Sequence, residues 1–112
     1  MTNSKTLSGI GLAMKAGCVA SGEFMTERAV KRNSAYLVIV ADDASENTKK
    51  KFRNMCSYRK VPLSFYSNKI VLGNALGKNF RASLAITDRG LATMICENLK
   101  LEVSEHGENE DL

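Results

Sequence analysis

Several groups of residues in this 112-residue sequence could carry chemistry, and the first are glycine-rich. Gly73-Asn74-Ala75-Leu76-Gly77-Lys78 has some parts of a phosphate-binding loop. It lacks one residue between the glycines, and Asn79 stands where Ser or Thr must hold magnesium. It also ends a helix where such a loop begins one. Gly9-Ile10-Gly11 starts a dinucleotide fingerprint, with no third glycine in place and no preceding strand. Asp42-Asp43 close an apolar strand, where α/β sites often lie. No histidine is near them in sequence, and paired aspartates after a strand more often turn the chain and cap a helix. Cys18, Cys56 and Cys96 stand far apart without a C-x-x-C pair, and the single histidine, His106, lies among acids. A zinc site wants four Cys/His ligands at short spacings. A disulfide scaffold wants an even count. The cysteines read as reduced, packed residues of a cytoplasmic protein. This reading assigns no catalytic residue, no metal ligand and no cofactor.

The basic residues are the stronger signal. Five of the 12 acids follow Lys100, so the first hundred residues hold all 16 cations against seven acids, a net of +9. A body that basic suggests a polyanionic partner, and its alternative is a soluble surface with none. A helix opening at Gly22 offers free backbone N–H groups and a positive dipole end to a phosphate. Arg28 and Arg32 are four apart on that helix, with Lys31 beside them, and each could neutralise a phosphate. The densest basic block is Lys49, Lys50, Lys51, Arg53, Arg59 and Lys60. There a soluble lysine-rich helix is the stronger reading. Aromatic content is only 6%, in positions that suit a core, so open base-stacking platforms are not expected.

The elements that must position these residues alternate. Leu7, Ile10, Leu12 and Met14 mark a helix from Lys5, capped at Gly17. Cys18-Val19-Ala20 is a short strand. Ser21 reads as the cap of a helix from Glu23 to Arg32, presenting Phe24, Met25, Ala29 and Val30 among charges. Ala35 to Ala41 is continuous, apolar and β-branched, the pattern of a strand covered on both faces. Ser45 caps a basic helix from Glu46 to Tyr58. Pro62 precedes a strand over Leu63 to Tyr66. Asn68 caps a short helix to Leu76, closed by Gly77. Lys78 to Arg81 form a loop, Ala82 to Thr87 a fourth strand, and Asp88 caps a last helix to about Leu99. The prediction is an α/β protein, a three-layer α/β/α sandwich around a four-stranded mixed sheet. One domain is expected over residues 5–100. The acidic tail, 101–112, is expected to be disordered and to mimic RNA by screening the basic face. The longest apolar run, Tyr36 to Ala41, is far short of a membrane span. No charged-then-apolar leader opens the chain.

Certain motifs follow one known order: Gly11-Leu12-Ala13-Met14-Lys15-Ala16-Gly17, Ser21-Gly22-Glu23, Ala41-Asp42-Asp43-Ala44-Ser45, Pro62, Leu72-Gly73-x-Ala75-x-Gly77 and Ala85-Ile86-Thr87-Asp88. In this the chain resembles the L-seven-Ae ribosomal protein family, with its eukaryotic L-thirty and S-twelve relatives, and within it a small bacterial homologue of the Gram-positive type. The resemblance covers about residues 5–99. It implies a three-layer fold that binds kinked, internally looped RNA against the start of the second helix and the loop before the last strand. The implied RNA-binding residues are Gly22, Glu23, Phe24, Met25, Arg28, Lys31, Arg32, Lys69, Lys78, Asn79, Phe80 and Arg81. Phe24 and Met25 replace the family's Asn and Glu, which read guanine edges. Losing a bidentate reader removes about 1–3 kcal/mol of discrimination. Phe24 would instead stack on a splayed base or face the core. Lys78 to Arg81 carry no proline where archaeal members have one.

The expected function is that of a non-catalytic, ribosomal or ribosome-associated protein recognising structured, kink-turn-like RNA. Expected partners are structured RNA, ribosomal RNA first, and ribosomal proteins, with no membrane and no DNA. The alternatives are a protein-interaction or regulatory module on the same scaffold and a small hydrolase using Asp42 or Asp43.

Overall fold

The computed structural model describes residues 4–111, with side chains from Ser4 to Glu102. Helix α1 spans Lys5–Lys15, and Ser4 caps it by accepting from Leu7 N–H. Strand β1 (Val19–Ser21), helix α2 (Glu23–Lys31) and strand β2 (Leu37–Val40) follow. Helix α3 (Glu46–Arg59), strand β3 (Leu63–Phe65), helix α4 (Lys69–Ala75), strand β4 (Ser83–Ile86) and helix α5 (Arg89–Asp111) complete the order. Three caps read from sequence are in place. Ser45 accepts from Thr48 N–H (3.1 Å), Asn68 from Val71 N–H (2.9 Å) and Asp88 from Leu91 N–H (2.9 Å). Each satisfies an amide that the first helical turn leaves unpaired.

The strands form one mixed sheet in the order β1-β4-β2-β3. Strand β4 is antiparallel to both β1 and β2, and β3 runs parallel to β2. The two central strands are buried at every residue. Alternation along them feeds two cores, since successive side chains point to opposite faces. Leu37, Ile39, Leu84 and Ile86 pack with Ile10, Leu72, Ile95 and Leu99 under α1, α4 and α5. Val38, Val40 and Ala85 pack with Val30, Phe52 and Cys56 under α2 and α3. The result is the three-layer α/β/α sandwich predicted above.

Two details differ from the sequence reading. Ser21 does not cap α2. It ends β1, and Gly22 is the N-cap residue, with φ 93° and no side-chain hydrogen bond to the helix. The second difference is the boundary at residue 100. Helix α5 does not stop near Leu99 but continues to Asp111. Leu101 and Glu102 extend it without a helix breaker, and both are good helix formers. Glu102 is tied to the domain, accepting from Ser4 Oγ (2.8 Å) and Tyr66 Oη (2.6 Å). The expectation of disorder weighed the tail's charge and missed these partners, so the tail does not begin at residue 101. The screening role expected of the acidic side chains beyond Glu102 lies outside the described residues.

Candidate functional site

The start of α2 is built from below by the sheet. Gly22 N–H donates to the Ser83 carbonyl (3.0 Å), which pins the helix start to β4. The Gly22 carbonyl accepts from Thr26 N–H (2.8 Å) and Thr26 Oγ1–H (2.6 Å). Thr26 and Ser83 are both fully buried, with their hydroxyls 3.4 Å apart. A side chain at position 22 would be strained by the positive φ, which a glycine adopts without penalty. With no side chain capping α2, the amides of Glu23, Phe24 and Met25 point out of the helix start.

The loop before β4 closes over that point. Arg81 Nε–H donates to Ser21 Oγ (2.9 Å), and Nη1–H donates to the Phe80 carbonyl (2.7 Å). The Arg81 backbone N–H donates to the Lys69 carbonyl (2.9 Å), which joins the loop to the start of α4. An open groove of about 350 Å³ results, lined by residues 21–25 and 80–82. Its rim is apolar. Phe24 is 70% exposed, Met25 45% and Phe80 59%. Phe24 therefore faces outward, which settles the direction that the sequence left open. The Arg28 guanidinium lies 6.0 Å from the Phe24 ring centroid, a cation–π contact that orients both. The exposed aromatics overturn the expectation, drawn from aromatic content, that no open stacking surface exists.

Not every residue singled out in the sequence joins this groove. Gly22, Glu23, Phe24, Met25, Phe80 and Arg81 line it, and Arg28 stands behind Phe24. Arg28 and Arg32 share a second, shallow depression along α2 with Met25. Among the described residues neither has a carboxylate within 4 Å. The Glu23 carboxylate and Lys31 turn the other way, toward α3. Lys31 Nζ lies 2.9 Å from Glu27, and Lys51 Nζ lies 2.5 Å from Glu23 and 3.2 Å from Glu27. Hydrogen bonds from Lys31 and then Lys51 hold the Glu27 carboxyl below its usual range. The contact with Glu23 raises Lys51. Lys69 adjoins the loop through its backbone, while Lys78 and Asn79 are exposed on it. Sequence reasoning missed Ser21 as the acceptor for Arg81, and it missed the buried Thr26–Ser83 pair. The only available signal was the run Ser21-Gly22 at a strand end. Asp43, weighed as a catalytic acid, accepts from Lys69 N–H (2.9 Å), the capping role.

The sequence model of the ribosomal protein L7Ae/L30e/S12e/Gadd45 family matches residues 4–96. The chain belongs to that family. It is 40% identical over 86 residues to the RNA-binding protein YlxQ of Bacillus subtilis (strain 168). That match covers 77% of this chain and 86% of the relative. It is 40% identical over 88 residues to the RNA-binding protein YlxQ of Enterococcus faecium, 79% of this chain and 84% of that one. A Bacillus halodurans protein of unknown function superposes with a TM-score of 0.85 at 32% identity, covering 88% of this chain and 99% of its own. The Giardia lamblia 15.5kD RNA binding protein superposes at 0.72 with 21% identity, over 89% of each chain, a likeness of fold alone.

Proposed function

We propose that this family member is a non-catalytic RNA-binding protein that recognises structured, kink-turn-like RNA, ribosomal RNA first. Its footprint is the uncapped start of α2 together with the loop at residues 78–81. One observation carries the reading: Arg81 is locked onto Ser21 directly beside the open amides of α2. The site thus presents dipole, amides and guanidinium to one phosphate, while Arg28 and Arg32 continue the cationic edge. Phe24 and Phe80 suit stacking on unpaired bases, which kinked RNA displays and regular duplex does not. Base-edge readout is weak in such a site, because Phe24 and Met25 carry no polar group to meet it. The names of the YlxQ relatives support the RNA assignment. Three free cysteines suit a reducing cytoplasm. The same three exposed apolar side chains are what a protein-docking module would use, and the test separates the two readings.

The Arg28→Ala variant weakens binding to a kink-turn hairpin several-fold and lowers the slope of log K against log salt by about one. Lys31→Ala leaves that slope nearly unchanged, because its charge is already met by Glu27. Filter binding at a series of salt concentrations reads both. An Arg28→Ala titration that overlays wild type throughout would remove α2 from the footprint. No binding of wild type to any structured RNA would favour the protein-docking reading.

A further inference from the structure

The strongest charged surface that the proposed groove leaves unused is α3. Its relation to α2 follows from the contacts between them. Glu23, at the start of α2, meets Thr48 and Lys51, and Glu27 meets Lys51. At the far end Arg59 Nη1–H donates to the Lys31 carbonyl (3.1 Å) and Asn33 Oδ1 (3.4 Å). The two helices therefore run side by side in the same direction. The seam between them occupies the acids of α2.

What remains on α3 is uncompensated. Among the described residues Lys50, Arg53, Arg59 and Lys60 have no carboxylate within 4 Å, and Lys49 has only the exposed Glu46, at 3.9 Å. Some of these cations are held in place. Lys49 Nζ lies 6.0 Å and Arg53 Cζ 5.2 Å from the centroid of the Phe65 ring on edge strand β3. Such contacts orient a cation without neutralising it. Lys50, Asn54 and Tyr58 follow one another at four-residue spacing and are all exposed, so they form one outward stripe. Tyr58 belongs to neither core and is 83% exposed, with Arg59 Cζ 5.9 Å from its ring centroid. An exposed aromatic ring flanked by cations is the combination that single-stranded nucleic-acid surfaces use.

We infer that the outer face of α3 is a second RNA surface that takes a single-stranded segment. Lys50, Arg53 and Lys60 meet its phosphates, and Tyr58 stacks on a base. It rests on the proposed function for the identity of the polyanion and extends the footprint beyond the α2 groove. The strand must be unpaired, because stacking on a side chain needs a base outside a duplex. Stacking and phosphate contacts carry the affinity there, so binding depends only weakly on sequence.

The test uses the full chain with two labelled probes in fluorescence anisotropy. One is a blunt kink-turn hairpin, which reads the α2 groove. The other is an oligouridylate of about 15 nucleotides, which reads α3. Tyr58→Ala weakens oligouridylate binding about tenfold, and Tyr58→Phe, which keeps the ring, restores it. The Lys50→Ala/Arg53→Ala double variant lowers the oligouridylate salt slope by about 1.4, at about 0.7 per single-strand phosphate. All three variants bind the hairpin as wild type does. Unchanged oligouridylate affinity in Tyr58→Ala and the double variant overturns the assignment, whatever acidic protein the face then holds. Equal loss on both probes also overturns it, because α3 would not be a separate surface. If wild type ignores the hairpin while the α3 variants still lose oligouridylate, the groove reading fails and this one stands.

Discussion

Gly73→Ala lowers the melting temperature by roughly 10–20 °C and opens the proposed RNA groove. Within a helix, glycine to alanine ordinarily stabilises by about 0.5–1 kcal/mol, and Gly73 lies inside α4. The sign reverses here because of what lies opposite. A Cβ on Gly73 would fall 2.4 Å from Phe80 Cα, 2.7 Å from Phe80 N and 2.9 Å from the Asn79 carbonyl carbon. These are backbone atoms and cannot swing aside as the end of a side chain does. The loop is also fastened at both sides of the contact. Lys78 N–H donates to the Gly73 carbonyl (2.8 Å), and Arg81 N–H to that of Lys69 (2.9 Å). A methyl group at position 73 forces the loop off α4, at about 3 kcal/mol. Arg81 then loses its register with Ser21, and hairpin affinity falls about tenfold or more. Calorimetry and anisotropy on one preparation check both effects. Asn74→Ala, an exposed neighbour in the same helix, is the control and stays near wild type. A Gly73→Ala protein as stable as wild type would show that the loop does not press on α4.

The fold was legible where local chemistry decides it. The unbroken apolar run from Ala35 to Ala41 became the fully buried β2, and Ser45, Asn68 and Asp88 each cap the helix that they precede. The order of strands was not legible. That β4, the last in sequence, inserts between β1 and β2 depends on pairings between segments far apart in the chain. The reach of α5 was hidden for a similar reason. A carboxylate at 102 reads as solvated until Ser4 and Tyr66 are brought to it by the fold.

The site divides in the same way. Gly22 marked a helix start, and Arg81 marked a cation in a loop. That they touch is a consequence of strand pairing, since Ser21 pairs with Leu84 across β1 and β4. The direction of Phe24 stayed open in the sequence because its size suits burial and stacking alike. In α2 it is Thr26, Ala29 and Val30 that face inward, at helical three- and four-residue spacing. Small side chains there let the helix lie close to the sheet, and this turns Phe24 and Met25 outward. Tyr58 shows the same point on α3, where Phe52 and Cys56 fill the inner face.

Glu102→Ala lowers stability by about 2 kcal/mol at neutral pH, since hydrogen bonds to a charged group contribute about 1.5–3 kcal/mol each and this group is only half-buried. The carboxylate gathers three segments of chain. It accepts from Tyr66 Oη (2.6 Å), from Ser4 Oγ (2.8 Å) and from Thr6 N–H (3.3 Å), which binds α5 to the start of α1 and the end of β3. Burial pushes its pKa up, but the hydrogen bonds from Tyr66, Ser4 and Thr6 outweigh burial and leave it below the usual 4.5. Burial first, and then the facing carboxylate, raise the Tyr66 hydroxyl. A carboxyl that titrates lower in the folded chain than in the unfolded one stabilises fully above the unfolded value. That contribution drains away as pH falls from about 4.5 through the folded value. The Glu102→Gln variant, close in shape but uncharged, therefore melts below wild type at pH 7, and the gap closes only as pH falls through the folded carboxyl's own value, below 4.5. Thermal melts of the two proteins across this range read the gap directly. A gap that stays constant down to pH 3 would mean that the charge at position 102 does not hold α5 in place, and that shape alone does.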